Sequence, residues 1–314
     1  MIGRPWRLIF MGTPEFARPS LEALREAGHD ILAVVTQPDR RQGRGQKFAS
    51  PLIKEVALAA NLPVLQPPNL RHPEVIKTLA ELQPELLVVV AFGQLLPAAV
   101  LAIPSVGALN VHASLLPRHR GAAPINWAVL QGDKVTGVSI MWLDTGLDTG
   151  PIFLSEAVEI SAEDTAGTLA ARLAPLGARL LLQALDKLRQ GEIVRQPQPT
   201  EGVSWAPPLT REMQHLDFNR PAPEVARWVR ALDPRPGAFT YYQGKKLKVF
   251  QARLSQAQGK FAVPGLVLQV TSQGAEVACG QGSIWMPEVQ LAGSKRMSAQ
   301  DFGRGHPLAQ QRLG

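Results

Sequence analysis

The chain has 314 residues, 45% apolar and 19% charged, with one cysteine and a formal net charge of +7. That length and apolar content are enough for two packed cores and exclude a disordered chain. The lone Cys279 excludes an internal disulfide and suits a reducing compartment, and no His or Cys spacing suggests a metal site.

The first ten residues, MIGRPWRLIF, have neither the long apolar core nor the small-residue cleavage site of a signal peptide. No run reaches the length of a membrane span, so the expectation is a cytoplasmic protein without membrane attachment. In chain order, residues 7–12, 31–36, 86–92 and 107–112 are short apolar or β-branched runs, separated by segments of helical spacing such as 17–27. Runs apolar on both faces predict a mostly parallel sheet covered by helices on each side, a doubly wound α/β domain. Residues 137–143 and 152–158 read as further strands, and 164–190 as a long helix opened by Asp164 as its cap.

Residues 195–208, RQPQPTEGVSWAPP, carry four prolines and neither helical nor strand periodicity, which predicts a linker. Domains are therefore expected at 1–194 and 209–314. In the second, a short helix near 222–232 and strands at 247–254, 265–272, 274–280 and 282–291 predict a small oligonucleotide-binding-type (OB-like) β-barrel. Charge divides along the same line: residues 1–208 hold 19 Lys+Arg and 19 Asp+Glu, whereas 209–314 hold 14 and 7. A basic module beside a neutral one is the footprint of a polyanion partner such as nucleic acid, although a solubilising surface accounts for it equally well.

The chemistry concentrates in NVHASLLPRHRGAAPINW, residues 110–127. Side chains two apart on a strand share a face, so Asn110 and His112 project together at the carboxyl end of their strand, where open α/β sheets bind ligands. An amide donor beside an imidazole suits a carbonyl that becomes an oxyanion, which points to acyl transfer. The following Ser-Leu-Leu-Pro has a backbone restricted by Pro117 and can present peptide groups and leucines to a flat ligand. A second stretch, WLDTGLDTGPI (142–152), repeats Leu-Asp-Thr-Gly and supplies Asp144 and Asp148; either, placed near His112, would orient the imidazole or accept a proton.

Three other readings fit poorly. Aspartic proteases also carry Asp-Thr-Gly, but on two symmetric lobes rather than four residues apart in one turn. FMGTPEF, after the first strand, has one glycine where a dinucleotide loop needs three. A nucleic-acid-binding barrel with a dead α/β domain would not keep all three polar groups.

These segments resemble the folate-dependent formyltransferases, which use an Asn, a His and a distant Asp. MGTPEFA (11–17), TQPDRRQGRGQK (36–47), RGAAPI (120–125) and MSAQDF (297–302) match the branch of that family whose acceptor is methionyl initiator tRNA, over nearly the whole chain. The resemblance implies transfer of the formyl group of 10-formyltetrahydrofolate to the α-amino group of the esterified methionine, for translation initiation. No metal is implied, and no obligate protein partner. It implies Asn110, His112 and Asp148 as catalytic residues, the Asp of LDTGP selecting 148 over 144. Ser114, Leu115, Leu116 and Pro117 would line the folate site, with 89–97 as another wall. Phe92 and Ala113 stand where relatives commonly carry Tyr and Gly. The alternative within the family is a small amine acceptor, glycinamide ribonucleotide or an amino sugar.

Arg40, Arg41, Arg44 and Lys47 place four cations in eight residues after the second strand, on the sheet edge that carries Asn110 and His112. The family uses this loop to reach tRNA, with Arg44 the foremost contact. Lys245, Lys246 and Lys248, with Arg253, are further candidates for phosphate.

Overall fold

The computed structural model describes residues 4–42, 47–261 and 263–314. The chain divides into two compact units. The first takes in the chain up to Pro124, Thr136–Val158 and Ala170–Pro207; the second takes in Ile125–Val135, Glu159–Leu169 and Pro208–Gly314.

Strands β1 (Arg7–Gly12), β2 (Asp30–Val35), β3 (Arg40–Gln42), β4 (Lys47–Ala49), β5 (Val64–Leu65), β6 (Leu86–Val90), β7 (Gly107–His112), β8 (Val135–Trp142) and β9 (Ile152–Glu159) alternate with helices α1 (Arg18–Glu26), α2 (Leu52–Ala59), α3 (Pro73–Glu81), α4 (Ala98–Leu101), α5 (Pro124–Gln131) and α6 (Ala166–Arg189). Seven of the strands form one sheet in the order β5-β2-β1-β6-β7-β8-β9, while β3 and β4 make a separate hairpin. Pairings from β5 to β7 are parallel, and β7 to β8 is antiparallel. The order turns back on itself beside β1, which makes the carboxyl ends of the central strands the place for a ligand.

Burial explains the mostly parallel reading. All five residues of β6, LLVVV, are buried, so both sheet faces are covered. Ile9, Met11, Leu87 and Val89 share one core with Val35, Leu79 and Val100. The edge strand β9 instead alternates buried or half-buried with exposed positions from Leu154 to Glu159. On β7, Val111 points at α6: a methyl group on Gly177 would stand 2.7 Å from its side chain, so glycine lets the helix close on that face. Asn110 and His112 are thereby left to the opposite face.

Residues 195–208, expected as a linker, run against the first unit. Gln196 exchanges backbone hydrogen bonds with Ile152 (2.8 and 3.0 Å), Arg120 N–H donates to the Ser204 carbonyl (2.9 Å), and Ala206 N–H donates to that of Arg120 (2.7 Å). Prolines deny this segment a regular ladder without denying it isolated bridges.

The second unit holds α7 (Ala222–Leu232), β10 (Ala238–Tyr242), β11 (Lys245–Phe250), β12 (Arg253–Gln256), β13 (Val267–Thr271), β14 (Gly274–Ala278), β15 (Ser283–Met286), β16 (Glu288–Leu291), β17 (Met297–Ser298) and α8 (Ala299–Gly305). Two four-stranded sheets, β10-β11-β16-β17 and β12-β15-β14-β13, are antiparallel throughout and enclose one core, a barrel-like domain. Two runs expected as single strands are each divided between the sheets. The 247–254 run breaks at Gln251, whose φ is +54° and whose N–H donates to the Asp233 carboxylate (2.8 Å). The 282–291 run breaks at Pro287, which has no N–H for a ladder. Strand β10 was not expected. It turns into β11 through Gln243–Gly244, both at positive φ (48° and 73°), the two-residue geometry that suits a right-twisted hairpin.

Candidate active site

Three chain stretches meet beyond the carboxyl end of β7. Asn110 (8% exposed) and His112 (5%) stand side by side on the strand, as the period of two requires. The 143–150 turn brings in Asp148: Asn110 Nδ2 lies 3.5 Å from Asp148 Oδ1, and His112 Nδ1 lies 3.8 Å from the same oxygen. The loop after β7 returns to both groups. The His119 carbonyl lies 3.0 Å from His112 Nε2, and Gly121 N–H donates to Asp148 Oδ2 at 2.8 Å.

These contacts fix the tautomer. A carbonyl oxygen only accepts, so His112 Nε2 carries a hydrogen, and in the neutral ring Nδ1 holds the lone pair. That lone pair faces Asp148, and at 3.8 Å the two form an ion pair only when the ring is protonated. Burial dominates the balance and pulls the His112 pKa below the ordinary histidine value; the Asp148 charge and the His119 carbonyl oppose it. The neutral ring therefore prevails near pH 7, with a base on Nδ1 and an anion ready to receive the imidazolium.

The two aspartates of the repeated Leu-Asp-Thr-Gly differ in what each carboxylate touches. Asp144 is exposed and closes its own turn, accepting from Gly146 N–H (3.0 Å) and Thr149 Oγ1 (2.8 Å). Asp148 faces His112 with φ at +52°, a conformation unfavourable for a residue with a Cβ and kept by its surroundings. Gly150 follows because a Cβ there would collide with the Trp142 carbonyl.

The loop 113–117 is rigid. Ser139 Oγ donates to the Ser114 carbonyl (2.7 Å) and accepts from Leu116 N–H (3.2 Å), and Ser114 Oγ donates to the Arg118 carbonyl (2.6 Å). Ser114 is fully buried and its hydroxyl is committed to the loop, so it holds the backbone rather than offering a surface; Leu116 is buried as well. Leu115 and Pro117 are half-buried, and Leu115 packs where a Cβ on Gly137 would otherwise stand. In the 89–97 wall Phe92 is buried, and its carbonyl accepts from Thr13 Oγ1 (3.0 Å) and Gln37 Nε2 (3.3 Å); Leu95 is 64% exposed.

Of the cationic candidates, Arg40 is exposed and donates to Gln37 Oε1 (3.1 Å). Arg44 lies outside the described residues, as do the side chains of Arg41 and Lys47. On β11, Lys245 is exposed and Lys246 sits 3.5 Å over the Phe239 ring. Lys248 Nζ donates to the Pro236 carbonyl (2.8 Å), which leaves it less suited to phosphate than its neighbours. Arg253 is exposed. Sequence reasoning missed Gly121, His119 and the 196–206 segment, whose contributions are largely through backbone groups that no side-chain pattern signals. Among the described residues no three His, Cys, Asp or Glu side chains gather as metal ligands, and no helix is long and apolar enough to cross a membrane.

Two family models match: formyl transferase over residues 6–185 and formyl transferase, C-terminal domain, over 208–307. The methionyl-tRNA formyltransferase of Pelotomaculum thermopropionicum is 48% identical over 303 residues, covering 96% of each chain. That of Trichlorobacter lovleyi is 47% identical over 304 residues, covering 97% of this chain and 95% of its own. Among solved structures, HypX of Aquifex aeolicus in complex with tetrahydrofolic acid superposes with a TM-score of 0.67 at 18% identity, over 96% of this chain and 47% of the other.

Proposed function

The chain belongs to the formyl transferase family, and on that footing we propose that it transfers the formyl group of 10-formyltetrahydrofolate to the α-amino group of methionyl initiator tRNA. The observation that carries this reading is the meeting of amide, imidazole and carboxylate on one buried spot, in a chain alike end to end to methionyl-tRNA formyltransferases.

Half-buried Leu115 and Pro117 on a hydrogen-bonded loop, with Leu95 exposed in the 89–97 segment, fit a flat, partly apolar donor. When bound, the folate supplies an activated formyl carbon and a nitrogen leaving group. Asn110 Nδ2 donates to the formyl oxygen as it gains charge. The acceptor amine, with an ordinary pKa of about 7.7–8.0, is partly neutral at pH 7 and attacks without a strong base. As the new N–C bond forms, His112 Nδ1 takes the proton that the amine loses. The imidazolium then pairs with Asp148 and returns the proton to the departing nitrogen as the old C–N bond breaks. Proton and charge balance without any further group.

Arg40, Arg41, Arg44 and Lys47 would meet the acceptor end of the tRNA. Lys245, Lys246 and Arg253, in the basic stretch 209–314, would meet phosphates of its body, with Lys248 a lesser contributor. Incubation with 10-formyltetrahydrofolate and methionyl-tRNA, with glycinamide ribonucleotide as competitor, tests the reading. Formylmethionyl-tRNA should be the sole product, and formylation of the small amine instead would transfer the assignment to the alternative acceptor class.

A further inference from the structure

Gln198 lies in the proline-rich segment that the reaction does not use, yet of residues 191–202 it alone is withdrawn from solvent. Its side chain makes four hydrogen bonds. Nε2 donates to the carbonyls of Asp148 and Gly150, each at 2.8 Å, and Oε1 accepts from Arg120 Nε (3.0 Å) and Nη2 (2.6 Å). The amide orientation is unambiguous, since a guanidinium only donates and carbonyls only accept. The glutamine thus ties the 148–150 turn to the loop whose next residue, Gly121, holds the Asp148 carboxylate. It also grips Asp148 at the residue whose φ of +52° needs external support.

We propose that Gln198, anchored by Arg120, is a positioning residue that clamps the Asp148 backbone and so holds its carboxylate against His112. This rests on the reading of Asp148 as part of the catalytic group. A displacement of about 1 Å at such a group costs on the order of 10²-fold in rate.

The test compares Gln198→Met, which keeps length but removes all four bonds, with Gln198→Glu, which keeps the Arg120 partner but sets a carboxylate against two carbonyls. Gln198 sits on a surface segment, so neither change empties the core. Expected for both are a fall in kcat of about 10²-fold with KM for both substrates within about threefold. A further readout is the NMR titration of His112, whose midpoint should move lower as the anion that raises it drifts away. On an Asp148→Asn background, Gln198→Met should cost little more, because its effect passes through the carboxylate. Turnover near that of the unmodified protein in both variants, an unmoved His112 midpoint, or an undiminished loss on the Asp148→Asn background would overturn the clamp. Near-normal turnover of Asp148→Asn alone would overturn the reading of the site itself, and the clamp with it.

Discussion

His112 stands between two acceptors of different kinds, a carbonyl that fixes Nε2–H and a carboxylate that waits on Nδ1. Because burial lowers its pKa, its C–H resonance, identified by its loss in His112→Asn, should titrate with a midpoint below the ordinary value of about 6.5. A midpoint above that value would reverse the assignment of the neutral base. Its folded pKa being the lower one, the unfolded chain binds the extra proton in the window just below about 6.5. The stability gained by keeping the ring neutral is therefore present above that window and lost as pH falls through the folded value. In the proposed reaction Asn110 has a simpler role, a single donor to a developing charge. Asn110→Ala should fold normally and lose about 10²–10³-fold in kcat, or about 3–4 kcal/mol, as measured by formylmethionine release.

The elements around the site work largely through backbone contacts. Gly121 has φ at +124°, and a Cβ there would stand 2.6 Å from the Ala206 carbonyl. Gly121→Ala should therefore destabilise the protein by about 1–3 kcal/mol, read by denaturant unfolding, and also reduce turnover by shifting the N–H that Asp148 needs. How much could be foreseen differs by element for the same reason. Strand β7 was legible because a two-residue period puts Asn110 and His112 on one face whatever else the chain does. The doubly wound sheet was legible because runs such as LLVVV are apolar on both sides. The division of 247–254 was not, because its cause is a left-handed Gln251 held by Asp233, eighteen residues away. Nor was the part played by 195–208, since its prolines and polar residues are the composition of a linker and its contacts are single bridges rather than a repeating pattern.

At the scale of the molecule, Asn110, His112 and Asp148 lie in the first unit, and the excess of basic residues lies in the last third of the chain, where residues 209–314 hold 14 Lys+Arg against 7 Asp+Glu. Affinity for methionyl-tRNA should then depend steeply on salt. Four phosphate contacts would weaken binding by about 10²-fold between 50 and 200 mM monovalent salt, as filter binding across a salt series can determine. Reversing Lys245 and Arg253 to Glu should flatten that slope while leaving folate affinity alone. The strap at 196–206 carries a further consequence, one concerning time. In a polypeptide leaving the ribosome, the last of the three proposed reactive side chains emerges at residue 148, whereas Gln198 and the bridges to Arg120 follow only near the start of the second family domain. A chain ending before residue 196 would carry all three of these side chains and none of the bridges that 196–206 make to their loops.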